Sequence, residues 1–152
     1  MQEKHTYKVQ AVCTMPRSGI TTADGITHAI DFSAPQEFSG IAGRWTPEHF
    51  FVTAVATCYA ATFSGTAEIS KLSFERFDVS AEGVLEKDTS GWRFTKVELR
   101  PILVLCREAD RERAMRLLDK AAKSCVVARS LACPVDLAPE IRLASQELLR
   151  AS

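Results

Sequence analysis

Five cysteines are the residues best placed to do redox or nucleophilic chemistry: Cys13, Cys58, Cys106, Cys125 and Cys133. Their number is odd, their spacing is irregular, and no two are separated by two residues. That pattern disfavours a static disulfide framework and a zinc knuckle, leaving buried structural thiols or a reactive pair. Cys58 sits in the middle of TPEHFFVTAVATCYAATF and Cys125 within KSCVVARSL, the two helical segments that carry most of the apolar character. A cysteine in apolar surroundings is by default a small packing hydrophobe. To act as a nucleophile it must ionise, and at an ordinary pKa near 8.5 only about 3% is thiolate at neutral pH. Making thiolate predominant needs roughly 2.7 kcal/mol of differential stabilisation, and desolvation opposes it. An arginine beside the sulfur would supply the cation, held by a bidentate carboxylate. Glu48 lies ten positions before Cys58, on one helix face and roughly 15 Å away along the axis. An arginine from elsewhere could bridge that gap, and Arg17 in MPRSG and Arg44 in AGRWTPE are the candidates. Cys13 and Cys106 read as structural, and Cys133 stays open. His49 has no partner histidine near it and suggests neither metal nor base.

The elements that must position these residues follow from pattern. Thr46-Pro47-Glu48 is a helix start, with a capping threonine, a proline at the first helical position and an acid at the positive end of the dipole. The helix is expected from about Pro47 to about Ser70. It is apolar on nearly every side, which asks for cover by a sheet, a second helix or a second subunit. A second helix is expected from Asp110 through DRERAMRLLDKAAKSCVVARSL, with Ala114, Leu117, Leu118, Ala121, Ala122 and Cys125 on its apolar face. Strands are expected over residues 4–13 and 26–32, with MPRSGITTADG as a turn region ending in a hairpin turn at Asp24-Gly25. Two long strands, LSFERFDVSAEGVLEKD and WRFTKVELRPILVLCRE, are joined by Asp88-Thr89-Ser90-Gly91, and Pro101 marks a bulge or an edge. A turn at Cys133-Pro134 leads to a short closing strand near Ile141. This order reads as a single α+β domain, residues 1–152, with a mostly antiparallel sheet.

Bulk composition narrows the function classes. The chain has 152 residues, 46% apolar and 25% charged, with 19 basic and 19 acidic side chains. There is no basic excess for nucleic acid and no polybasic run for a membrane surface. The N-terminal stretch lacks the apolar core of a secretory signal, and no run of about 18 apolar residues suggests a membrane span. The expected address is the cytoplasm, where thiols stay reduced unless they cycle.

TPEHFFVTAVATCYAATF resembles the central helix of the osmotically inducible protein C and organic hydroperoxide resistance (OsmC/Ohr) superfamily, in which a proline-glutamate pair and an apolar stretch precede a cysteine. KSCVVARSLACPVDLAPEI is similar to the family's second cysteine segment, and TADGITHAIDFSAPQEFSGIAGRWTPE matches the layout of its hairpin. The likeness runs from about Tyr7 to Ile141. It implies a thiol peroxidase built as an intertwined homodimer, with a long buried central helix and both sites at the subunit interface. Cys58 would be the peroxidatic cysteine, Cys125 the resolving one, Arg17 the catalytic cation and Glu48 the carboxylate that orients it. The hydroperoxide-resistance branch has a Cys-Pro pair at the resolving position, whereas here Val126 follows Cys125 and the Cys-Pro pair comes at Cys133. The Arg17 loop is also about one residue shorter than in that branch. Both departures point to a general OsmC-like member, and Cys133 stays open between an inert thiol and a substitute resolving one. The implied cycle takes Cys58 to a sulfenic acid, then to a disulfide with Cys125, and a dithiol reductant such as a lipoyl group or a small thiol resets it. Phe50, Phe51, Tyr59 and Phe63 would line an apolar site that favours an organic hydroperoxide. No metal, flavin or haem is implied. The alternative is a non-catalytic OsmC-like dimer that binds a small apolar ligand, or a redox-sensing interaction protein.

Overall fold

Alternating apolar and polar residues draw Phe74–Asp88 and Gly91–Leu105 into two fifteen-residue antiparallel strands, β4 and β5 below. Asp88 ties their turn: its Oδ1 accepts the Ser90 N–H at 2.7 Å, and Arg93 Nε donates to its Oδ2 at 2.8 Å. In this computed structural model, which describes residues 2–150, the chain forms two compact units, one up to Phe51 and one from Val52 onward.

The first unit holds an antiparallel sheet of β1 (Val9–Met15), β2 (Ser18–Ala23) and β3 (Ile30–Ser33), in that order. Residues 18–23 were expected to turn and instead form β2. The β-branched run Ile20-Thr21-Thr22 suits a strand, and a two-residue turn at Pro16-Arg17 folds it back on β1. Proline pre-sets the first turn position and Arg17 adopts φ +58 at the second. Gly19 is required by close approach, because a Cβ there would lie 1.8 Å from the Val12 carbonyl oxygen. The Asp24-Gly25 turn forms, with Gly25 at φ +77, but residues 26–29 stay irregular and β3 is shorter than the expected 26–32 strand.

Helix α1 spans Pro47–Ile69. Its start is a reciprocal box: the His49 N–H donates to Thr46 Oγ1 at 3.2 Å, and the Thr46 N–H donates to His49 Nδ1 at 3.1 Å. His49 thus takes the place that Glu or Gln usually fills in a capping box. Within the second unit, α1 buries one stripe only, Val55, Tyr59, Phe63 and Ala67. The Phe63 ring lies 4.2 Å from Phe77 and 5.8 Å from Phe74 between centroids, and the Tyr59 hydroxyl donates to the Leu118 carbonyl at 3.2 Å. Gly83 lets the helix approach the sheet, since a Cβ there would lie 2.5 Å from Val52 Cγ2. The expectation of burial all round is not met by the single chain: Ile69 is exposed, and the other faces of α1 are exposed or half-buried. By length and composition α1 could also cross a membrane, although its buried stripe is what a core helix presents.

Strand β5 is central. It pairs antiparallel with β4 and in parallel with β6 (Val135–Leu137) and β7 (Glu140–Leu143). Pro101 is at neither a bulge nor an edge. The Val97 N–H donates to Pro134 O and the Ala138 N–H to Leu99 O, so odd-numbered residues here point their polar groups toward β6 and β7. Those strands pair with residues 97–99 and 102–105. Pro101, which has no N–H, falls in the gap between them. Helix α2 (Arg111–Ser124) buries Ala114, Leu117, Leu118 and Ala121. It stops before Cys125 instead of continuing to Leu131, and a short α3 (Val126–Arg129) follows. The tail closes as α4 (Ala144–Arg150).

Phe63→Ala should destabilise the protein by about 3–5 kcal/mol, because it empties the contact between α1 and two aromatic strand residues. Urea unfolding should show a lower midpoint at an unchanged slope. A loss under about 1 kcal/mol would mean that this stripe is not the core.

Candidate functional site

Cys125 is where the second helix breaks. Its backbone sits at φ −63, ψ 110, between α2 and α3. A new helix start leaves its first N–H groups without intrahelical partners, and here they surround two sulfurs. The Val127 and Val126 N–H groups face Cys58 Sγ, and those of Ala128 and Val127 face Cys125 Sγ. Cys58 reaches this spot from α1, one residue before the buried Tyr59. The two thiols are neighbours, and each acts on the other's ionisation.

The pair is electrically asymmetric. Burial pushes the Cys58 thiol up, but donation from the Val127 N–H, the Cys125 S–H, Thr62 and the Val126 N–H outweighs it, and the net direction is down. Thr62 has one proton to give, and it also donates to the Cys58 carbonyl at 2.7 Å, so it can serve only one acceptor at a time. Cys125 moves the other way. Full burial raises it first, and its bond to Cys58 and the charge there add to that, against opposing Ala128 and Val127 N–H groups. Cys58 is therefore the half-buried thiol that ionises first, and Cys125 is the buried thiol that stays protonated and donates. All five cysteines are free. No group of three or more His, Cys, Asp or Glu side chains is arranged to hold a metal among the described residues.

The other expected site residues are placed as follows. Arg17 is exposed in the β1–β2 turn, in a left-handed backbone conformation that costs a non-glycine residue about 1–3 kcal/mol. Its carbonyl accepts the Ala34 N–H at 2.8 Å. Glu48 is half-buried, and its Oε2 is buried without a hydrogen-bond partner. Among the described residues Arg17 and Glu48 form no ion pair, so the expected bidentate arrangement is not present within this unit. Arg44 borders a cavity of about 240 Å³ with Gly43, Trp45 and His49. Phe50 stacks on Trp45 at 5.6 Å and lines an apolar cavity of about 380 Å³ with Val9, Ile26 and Ile30. Phe51 is half-buried. Tyr59 and Phe63 are fully buried core residues, a placement that leaves them no surface for a substrate. Cys13 and Cys106 are exposed and Cys133 is half-buried.

Sequence reasoning missed the backbone donors of Val126 and Val127, and Thr62. The usable signal was the Val-Val pair after Cys125, since β-branched residues weaken a helix at that point.

Comparison with known proteins bears on the whole chain. The family model described as OsmC-like protein matches residues 40–140. An uncharacterised Bacillus subtilis (strain 168) protein, YmaD, is 27% identical over 136 residues, covering 88% of this chain and 91% of that one. Among solved structures, an OsmC-like protein from Mycoplasma pneumoniae superposes with a TM-score of 0.76 at 16% identity, covering 92% of this chain and 99% of that one. An organic hydroperoxide resistance protein from Legionella pneumophila gives 0.73 at 21%, covering 93% and 99%. The organic hydroperoxide resistance protein OhrB of Bacillus subtilis gives 0.66 at 23%, covering 91% and 98%. At these identities the structural likeness speaks for the fold.

Alkylation of Cys58 should titrate below an ordinary thiol, and Cys125→Ala should move that midpoint upward by removing the S–H donor. The sign for stability follows: with its folded pKa depressed, Cys58 adds stability as pH rises toward the ordinary thiol value and loses it as pH falls through the folded midpoint. Iodoacetamide rates against pH, resolved by peptide mass, test this. Equal midpoints in wild type and Cys125→Ala would refute the assignment of Cys125 as donor.

Proposed function

The chain belongs to the OsmC-like family, and from that premise we propose that it is a cysteine-based peroxidase that reduces organic hydroperoxides to alcohols. The single observation that carries this reading is the neighbouring Cys58–Cys125 pair, in which one thiol is pushed down and the other up. The relatives titled organic hydroperoxide resistance proteins support the substrate class.

In this reading the Cys58 thiolate attacks the terminal oxygen of ROOH. The O–O bond breaks, the alkoxide leaves and takes up a proton as ROH, and Cys58 becomes a sulfenic acid. The Cys125 thiol then gives up its proton and attacks the Cys58 sulfur. Water leaves and a Cys58–Cys125 disulfide remains. An external dithiol, such as a lipoyl group, reduces that bond by two exchange steps. Arg17 supplies a cation and Glu48 orients it. The strained Arg17 backbone and the partnerless, buried Glu48 oxygen support those roles. Phe50 and Phe51 keep the apolar-substrate role, and Tyr59 and Phe63 do not. A second copy of the chain covers the remaining faces of α1 and the exposed β1, forming a homodimer. Sedimentation should give twice 16.8 kDa, and a monomer would count against this cover.

A second reading has its own observation: the apolar cavity at Phe50 suits a small apolar ligand whether or not the thiols turn over.

With cumene hydroperoxide and a dithiol, wild type should consume peroxide and Cys58→Ser should fall to the uncatalysed rate. Without the dithiol, Cys125→Ser should consume one equivalent of peroxide and hold Cys58 as the sulfenic acid. Arg17→Ala should lose about 10²–10³-fold, as removal of one electrostatic stabiliser usually does. One equivalent of peroxide should leave a Cys58–Cys125 disulfide in the peptide map. Equal rates in wild type and Cys58→Ser would remove the enzyme reading and leave the ligand-binding one.

A further inference from the structure

We propose that a second small-molecule site lies at Cys133, apart from the Cys58–Cys125 pair, and takes a low-molecular-weight thiol that bears a carboxylate. It does not rest on the peroxidase reading. In the C-terminal unit a cavity of about 240 Å³ opens between β5, the end of α2, α3 and the turn that leads into β6. Leu99, Val135 and Leu137 provide apolar lining, and Lys123, Arg129 and Cys133 provide its chemistry. Neither Lys123 nor Arg129 makes an ion pair among the described residues. In one continuous helix, residues six apart would lie about 120° apart around the axis and would not share a face. The backbone break at Cys125 falls between them and lets both line one cavity.

Each part of the lining asks for a different part of the ligand. Two unpaired cations ask for an anion, and a carboxylate fits the arginine fork. The thiol asks for sulfur, and the apolar wall suits a short methylene chain. The volume is below the about 300–1,000 Å³ of drug-sized pockets, so the ligand is small. The disulfide form of such a thiol, RSSR, would exchange here. Cys133 loses its proton and its sulfur attacks one sulfur of RSSR. The S–S bond breaks, a Cys133–SR mixed disulfide forms, and RS⁻ leaves with the electron pair of the broken bond and takes up a proton. Excess RSH reverses the step and regenerates RSSR. Cys133 would then follow the thiol–disulfide state of an anionic thiol pool.

The test uses the reduced full chain and three disulfides: anionic dithiodipropionate, neutral hydroxyethyl disulfide and cationic cystamine. Each reaction is stopped with acid and mapped by peptide mass, with exposed Cys13 and Cys106 as internal references. Dithiodipropionate should modify Cys133 faster than either reference. After normalisation to Cys106, it should outpace cystamine at Cys133 by about tenfold at low salt. The Lys123→Gln/Arg129→Gln double variant should lose that preference while hydroxyethyl disulfide reacts as before. Two results would overturn the proposal: Cys133 reacting with dithiodipropionate no faster than Cys13 and Cys106, or an unchanged charge preference in the double variant. Failure of the cumene hydroperoxide assay would leave this outcome untouched.

Discussion

The backbone of Cys125 carries more of this molecule's chemistry than any single side chain. At ψ 110 it ends α2 and starts a new helical turn one residue later. A continuous helix would have spent the N–H groups of Val126, Val127 and Ala128 on carbonyls four residues back. The break releases them to the two sulfurs. Hydrogen bonds to a charged group are worth about 1.5–3 kcal/mol each. Those that face Cys58 lower its thiol against the opposing effect of burial. The depression of Cys58 is thus built within the C-terminal unit.

The helix that carries Cys58 shows how an apolar element can hold a polar centre. Its Thr57, Thr62 and Thr66 hydroxyls each donate to the carbonyl four residues earlier at 2.7 Å. They satisfy themselves along the helix and leave its surface effectively apolar. Only the Val55–Ala67 stripe is used by the chain's own sheet and by α2. The rest of the helix is half-buried or exposed in the single chain, although its apolar sequence pattern reads as buried on every side.

How much of this could be read from sequence differs by element. The start of α1 was legible because Thr46 and Pro47 are local signals, and local capping decides helix entry. The β4–β5 hairpin was legible because alternation over fifteen residues is hard to mistake. Strand β2 was not, since Pro16, Gly19 and Gly25 made residues 16–25 look like one long turn. A glycine needed for close strand approach looks the same in sequence as one needed for a bend. The thiol pair was reached through helix placement and family likeness, but the sequence suggested one helix through Leu131. The break falls at the Val126-Val127 pair, whose β-branched side chains weaken a helix there. Tyr59 and Phe63 are aromatic residues of the Cys58 helix, and their type alone suits a core or a substrate lining equally. Positions four apart on a helix form a stripe, and that stripe is the one facing Phe74 and Phe77.

The asymmetry of the pair also gives the proposed cycle its order. While Cys58 is thiolate, its charge and its demand for a hydrogen bond both hold the proton on Cys125. A protonated thiol is a poor nucleophile, so Cys125 stays out of competition for the peroxide. Oxidation of Cys58 to a neutral sulfenic acid removes both influences at once. Burial still opposes ionisation of Cys125, but the Ala128 and Val127 N–H groups that face its sulfur now act without opposition from a neighbouring anion. The resolving thiolate becomes accessible only after there is a sulfenic acid for it to attack. The sequence of events is then set by a change of charge on one sulfur.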